Sequence, residues 1–224
     1  SAFNDEEFIS SVNDYIIKID FQLSKINYPQ GGIKNILTTW PDLIRDLTKH
    51  DEFGKYLLKS EKLAPKIIDI NALKEKESQE IFDYIIDHVK SNYNWNKINS
   101  KYSSKSPSDF FKDKIGNCAD INLFAIGLLR AAGIESYPVI ISTRTNGKIK
   151  YDYPYSHFFN YVLILVNLEG SQFLTDATEV LASNQRIPAR CINDKGLIIR
   201  KDNPEWINLQ FNLLSEIQKN IFIH

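Results

Sequence analysis

Methionine is absent from this chain, and cysteine is nearly so: the 224 residues hold only Cys118 and Cys191. Two thiols are too few for a disulfide scaffold or a structural zinc site. The four histidines are scattered without metal-ligand spacing, and there is no glycine-rich phosphate loop. No apolar run approaches the about 18 residues that a membrane-spanning helix requires. The longest, Tyr161 to Val166, has the size of a strand. An excess of charge is missing too: 27 basic and 28 acidic side chains are interspersed and nearly cancel. That balance argues against nucleic acid or an anionic membrane surface as a partner. Neither an internal repeat nor a low-complexity tract is present. With Ser1-Ala2 in place of an initiator and no signal peptide, the chain reads as a piece of a longer protein, which leaves its compartment open.

What is present suits a globular domain with a substantial core: 43% of residues are apolar and 25% charged. Tyr15, Ile17, Ile19, Phe21 and Leu23 alternate with polar residues and predict a strand, broken by Pro29-Gln30-Gly31-Gly32. Residues 1–32 are therefore read as the edge of a neighbouring domain plus a linker, 33–200 as the core and 201–224 as a C-terminal extension. From about residue 38 the pattern turns helical, with Thr39 as N-cap before Trp40-Pro41. A long helix is predicted over 73–92, with Ile81, Phe82, Ile85, Ile86 and Val89 as its stripe. After a polar, irregular stretch, Ser108 is expected to cap a short helix ending at Gly116. Strands are expected over 137–143, 157–166 and 172–176, with shorter ones near 187–192 and 196–200. Helices followed by antiparallel strands predict an α+β fold.

One segment stands out, Gly116-Asn117-Cys118-Ala119-Asp120. Ile121, Phe124, Ala125, Leu128 and Leu129 share one helical face, and Gly133 ends the pattern. Cys118 thus lies at a helix N-terminus, where free N–H groups and the macrodipole favour a thiolate. Asp120 suits the dipole and works slightly against that thiolate. His157 heads the next long strand and Asp176 ends the one after. If a four-residue turn over 166–169 joins the two strands, Asp176 faces Phe159 and shares a sheet face with His157. A cysteine nucleophile with a histidine base and a carboxylate orienter would result. A two-residue turn at 168–169 would instead set Asp176 opposite Tyr161. Cys191 reads as a small buried apolar residue, with a Cys118–Cys191 disulfide as the competing reading. His50, His88 and His224 are given no role.

The segment Gly116-Asn117-Cys118, the turn Arg130-Ala131-Ala132-Gly133-Ile134, the run His157-Phe158-Phe159-Asn160-Tyr161-Val162 and Asp176-Ala177-Thr178 together resemble the transglutaminase-like superfamily of papain-type cysteine enzymes. The resemblance covers about residues 35–200, and is strongest to bacterial proteins in which such a core lies between β-rich domains. It departs from the family pattern at Phe159, Tyr161 and Ala177. It implies helices packed on an antiparallel sheet and an acyl-transfer enzyme acting on peptide or protein amides, by hydrolysis or transfer. Glycopeptide deamidation and N-acetyltransfer are further variants on such a triad. Cys118 would attack, His157 would act as base and acid, and Asp176 would orient the imidazole. Trp95 would join the Cys118 N–H as an oxyanion donor, and Tyr153, Tyr155 and Phe159 would line the substrate groove. No cofactor or metal is implied, calcium included. The partners implied are a peptide or protein substrate and flanking β domains, in an extracytoplasmic setting. The alternative is a non-catalytic peptide- or protein-binding module on the same fold.

Overall fold

A computed structural model describes residues 39–200 except Tyr153, together with 204–209 and, nearer the N-terminus, 11, 14–15, 19, 21, 23 and 25–35. The strand expected over 15–23 falls partly outside these. Of its described residues, Tyr15 lies in a turn, while Ile19, Phe21 and Leu23 are exposed without strand pairing. A short hairpin follows, β1 (Lys25–Asn27) with β2 (Ile33–Asn35).

The helical half comprises α1 (Trp40–Lys49), α2 (Gly54–Leu63), α3 (Ile70–Leu73), α4 (Ser78–Asn92), α5 (Pro107–Asp113) and α6 (Cys118–Ala131). Thr39 caps α1 as expected, accepting from Asp42 N–H with Pro41 in the first turn. The expected 73–92 helix is split into α3 and α4 by the turn at Lys74–Lys76. Ser106, not Ser108, caps α5, because Pro107 fits the first helical position and the Ser106 hydroxyl accepts from Asp109 N–H. Helix α2 is additional to the sequence reading.

Two further short strands flank the future site: β3 (Asn94–Trp95) runs parallel to β4 (Ile115–Gly116). The main sheet holds β5 (Glu135–Ile141), β6 (Tyr161–Leu168), β7 (Ser171–Thr175), β8 (Lys195–Ile198) and β9 (Glu205–Asn208), in the order β7-β6-β5-β8-β9 with every pair antiparallel. The edge strand β9 comes from beyond residue 200. The strand expected at 187–192 is replaced by a 3-10 turn over Ala189–Cys191.

Helix α6 is the buried axis of the fold: every residue from Cys118 to Leu129 is buried. It packs on one face of the sheet against Ile140, Val162, Ile164 and Val166. Gly127 lets α2 approach, since a Cβ there would stand 2.5 Å from Ser60 Cβ. The opposite sheet face carries Val139, Ile141, Tyr161, Leu163 and Leu165 in a second cluster that also includes Cys118 and Cys191. The N-terminus of α6 therefore meets the face from which Tyr161 projects.

Candidate active site

The cysteine lies where the sequence pattern puts it. Asn117 caps α6 by accepting from Asp120 N–H at 2.9 Å, and Asp120 Oδ2 accepts in return from Asn117 N–H at 2.8 Å. Asp120 is also anchored by Ser104, through its N–H at 2.9 Å and its hydroxyl at 2.6 Å. Gly116 is required by packing: a Cβ there would lie 2.7 Å from Asp120 Cβ and 2.8 Å from Phe110 Cε2. Cys118 follows as the first helical residue.

Its state is not the one the helix terminus predicts. Cys118 is fully buried, and burial pushes its thiol up to about 12, outweighing hydrogen bonds from the backbone of Ser100 and Val162 that pull the other way. The Sγ donates to Ser100 O at 3.0 Å and accepts from Ser100 N–H at 3.2 Å. Both cysteines are free, so the disulfide reading fails for this structure.

Asp176 also lies beside this cluster, 1% exposed, but its partners differ from the expected ones. Oδ2 accepts from the Tyr161 hydroxyl at 2.7 Å and more weakly from Asn122 Nδ2 at 3.4 Å. Oδ1 accepts from Thr178 N–H at 2.6 Å and from the Thr178 hydroxyl. Asn122 receives Ala177 N–H on its Oδ1 at 2.9 Å and so fixes the carboxylate to α6. Arg190 closes the network, donating to the Tyr161 hydroxyl at 2.9 Å and Thr178 Oγ1 at 2.7 Å while pairing with Glu179. Its guanidinium lies 4.2 Å from the Trp95 ring centroid.

His157 stands apart from both. It is exposed on a 3-10 turn over Ser156–Phe158, its ring 5.0 Å from that of Tyr155. The reason is twofold. Strand β6 begins only at Tyr161, so the alternation assumed from residue 157 does not exist there. The hairpin closes through Glu169-Gly170, both at positive φ, with Leu168 opposite Ser171 and Ile164 opposite Thr175. Continuing this register sets Asp176 beside Leu163 and diagonal to Tyr161. The place a base would need, facing Cys118 and bonded to Asp176, is held by Tyr161, whose hydroxyl burial keeps well above its ordinary value.

The proposed oxyanion donors are engaged as well. Cys118 N–H donates to Ile98 O at 3.2 Å, and Trp95 Nε1 donates to the same oxygen at 3.0 Å. The groove residues diverge. Phe159 is 2% exposed and packs in the core against Trp40 and Trp206, Tyr155 is half-buried beside His157, and Tyr153 lies outside the described residues. The sequence reading missed Asn122, Thr178 and Arg190, and gave Tyr161 only as the residue that would oppose Asp176 in the alternative register. An asparagine amid the apolar run of α6 was the available signal for the first.

A family model and one solved structure agree with this architecture. Residues 66–175 match the family model of the transglutaminase-like superfamily core. No curated protein matches the sequence. A crystal structure from Parabacteroides distasonis, of a protein provisionally assigned as a protease, is similar with a TM-score of 0.51 and 17% identity. That match covers 76% of this chain but only 30% of the other, and it bears on the fold alone. A protein from Cytophaga hutchinsonii, provisionally assigned as a cysteine protease, has a TM-score of 0.38 and 19% identity over 56% of this chain and 42% of its own.

Proposed function

Taking residues 66–175 as a transglutaminase-like core, we propose that this domain is a non-catalytic module that binds an extended peptide or protein segment. The observation that carries this reading is the identity of the residue between the thiol cluster and Asp176. It is Tyr161, a phenol that burial keeps protonated, where acyl transfer needs an imidazole. A protonated tyrosine cannot take the proton of a thiol whose own proton is held up to about 12. His157, the base that the sequence suggests, is exposed on a turn while Cys118 is buried.

The preference for an extended chain follows from the donors and acceptors around Cys118. Cys118 N–H and Trp95 Nε1 converge on one carbonyl oxygen, and the thiol exchanges hydrogen bonds with a backbone N–H and C=O two residues further on. These contacts suit main chain and are indifferent to side-chain identity.

A second reading, a cysteine acyl-transfer enzyme acting on peptide amides, is favoured by one of these same facts. Two N–H groups aimed at one oxygen form an oxyanion-hole geometry. The two readings separate in one experiment. The protein is incubated with a mixture of unstructured synthetic peptides and followed by intact-mass spectrometry. A module leaves the peptides whole and gains no acyl adduct, while NMR shifts near Trp95 and Arg190 report binding. Cleavage products or an adduct on Cys118, both lost in Cys118→Ala, would establish the enzyme instead.

A further inference from the structure

The segment 97–101 lies across Cys118 and is held there through its backbone. Ile98 O fills the point where Cys118 N–H and Trp95 Nε1 meet, at 3.2 and 3.0 Å. Ser100 then receives the thiol on its carbonyl and offers its N–H to Sγ. The contacts at residues 98 and 100 are made by main-chain groups of alternate residues, in a segment that is itself irregular, with bends at Lys97 and Lys101. The Ile98 side chain remains 57% exposed, so the main chain, not the side chain, is what the site grips.

The same segment is held at a cost. Lys97 adopts φ 68°, a left-handed conformation that is unfavourable for a lysine. Asn99 Oδ1 is buried with no hydrogen-bond partner among the described residues. Lys101 is 8% exposed, yet among the described residues its ammonium reaches only Phe159 O at 3.4 Å and the face of Tyr102. The flanks, by contrast, are secured. Asn96 N–H donates to Gly116 O at 2.9 Å, Asn117 Nδ2 donates to Tyr102 O at 2.9 Å, and Ser103 N–H donates to Glu52 O at 2.9 Å.

A strained middle between firm anchors, occupying a main-chain site, describes a displaceable occupant. We infer that residues 97–101 form a strap that fills the Cys118 site in cis and swings out to let the extended chain of a partner take the same contacts. The inference rests on the peptide-binding reading above for the identity of the incoming chain. The strap itself stands on the contacts alone.

Cys191 provides an internal reference, because it is equally buried but none of the strap contacts reach it. The test is the rate of N-ethylmaleimide labelling at Cys118 and at Cys191 in native protein, read by peptide mass spectrometry. A strap makes Cys118 label faster than Cys191. Asn96→Ala deletes the 3.0 Å hydrogen bond from Ile98 N–H to Asn96 Oδ1 and is expected to raise the Cys118 rate about fivefold. Lys97→Asn, which tolerates positive φ better, is expected to lower it about threefold. Cys191 should not respond to either change. A synthetic peptide of residues 96–102 added in trans should slow Cys118 labelling in the Asn96→Ala protein.

Equal labelling of both cysteines in all three proteins would overturn the strap, since the segment would then open only with the whole fold. Absence of protection by the peptide would overturn the exchange of strap for partner chain. An exposed Cys118 that reacts rapidly at neutral pH, and does so only with His157 present, would sink the non-catalytic reading while leaving the strap in place.

Discussion

At the scale of single residues, Tyr161 carries the most information. Its hydroxyl gives Asp176 Oδ2 a 2.7 Å hydrogen bond and accepts one from Arg190. Tyr161→Phe leaves a buried carboxylate and a guanidinium each short of a partner, and is expected to cost about 1–3 kcal/mol. Urea denaturation measures this, and a change under about 0.5 kcal/mol would show that the network has no structural role. Lys101 is expected to behave in the opposite way. Burial lowers its ammonium to about 8, with a single 3.4 Å carbonyl contact in return. Lys101→Met keeps the aliphatic stem and removes the desolvated charge, so stability should rise by about 1–2 kcal/mol. A fall in Tm would contradict that view of the site. The sequence made the helix-terminal place of Cys118 readable from the periodicity that follows it, and Asp120 as a first-turn acid, whereas the Asn117–Asp120 capping box emerged only in the structure. The sequence placed Tyr161 beside Asp176 only in the alternative register with a two-residue turn at 168–169, because residue type alone favours the nearby histidine as the base.

Elements were legible where their signals were local. Thr39, Pro41 and the α6 stripe gave their helices directly, and β5, β6 and β7 were found as strands, within a few residues at their ends. What failed was register. A hairpin of two residues at Glu169-Gly170, rather than four at 166–169 or two at 168–169, shifts every pair across β6 and β7 and changes which side chains meet Asp176. Helix α2 and the two-residue strands β3 and β4 were missed, since their stability comes from packing and not from periodicity. The α2–α6 contact offers a direct check. A methyl group on Gly127 would lie 2.5 Å from Ser60 Cβ and 2.7 Å from Glu61 N, and backbone cannot yield as a side chain does. Gly127→Ala is expected to lower stability by about 1–3 kcal/mol despite its better helix propensity. Calorimetry showing an unchanged or higher Tm would mean that α2 is not seated as described.

For the whole molecule, buried acids set the response to pH. Cys118 holds its proton up to about 12 in the fold, against an ordinary thiol value of 9.0. From about 9 upward the unfolded chain therefore binds fewer protons than the native one, and its contribution to stability falls until about 12. Cys191, Tyr56 and Tyr161 are raised by burial in the same sense. Lys101 opposes them between about 8 and 10.5, where the unfolded chain binds the extra proton. Cys118→Ala should thus gain on the parent protein as the pH rises past 9, in urea unfolding at stepped pH. A constant difference would mean the thiol is not buried.

The central claim is that Cys118 is a buried, protonated thiol with no imidazole partner among the described residues. The rate of Cys118 alkylation by iodoacetamide against pH, in the parent protein and in His157→Ala, tests it most directly. The account predicts slow reaction at neutral pH, limited by opening of the strap, a rise toward the alkaline range, and superimposable profiles for the two proteins. A rate that saturates well below the ordinary thiol value of 9.0, and loses that advantage without His157, would contradict it.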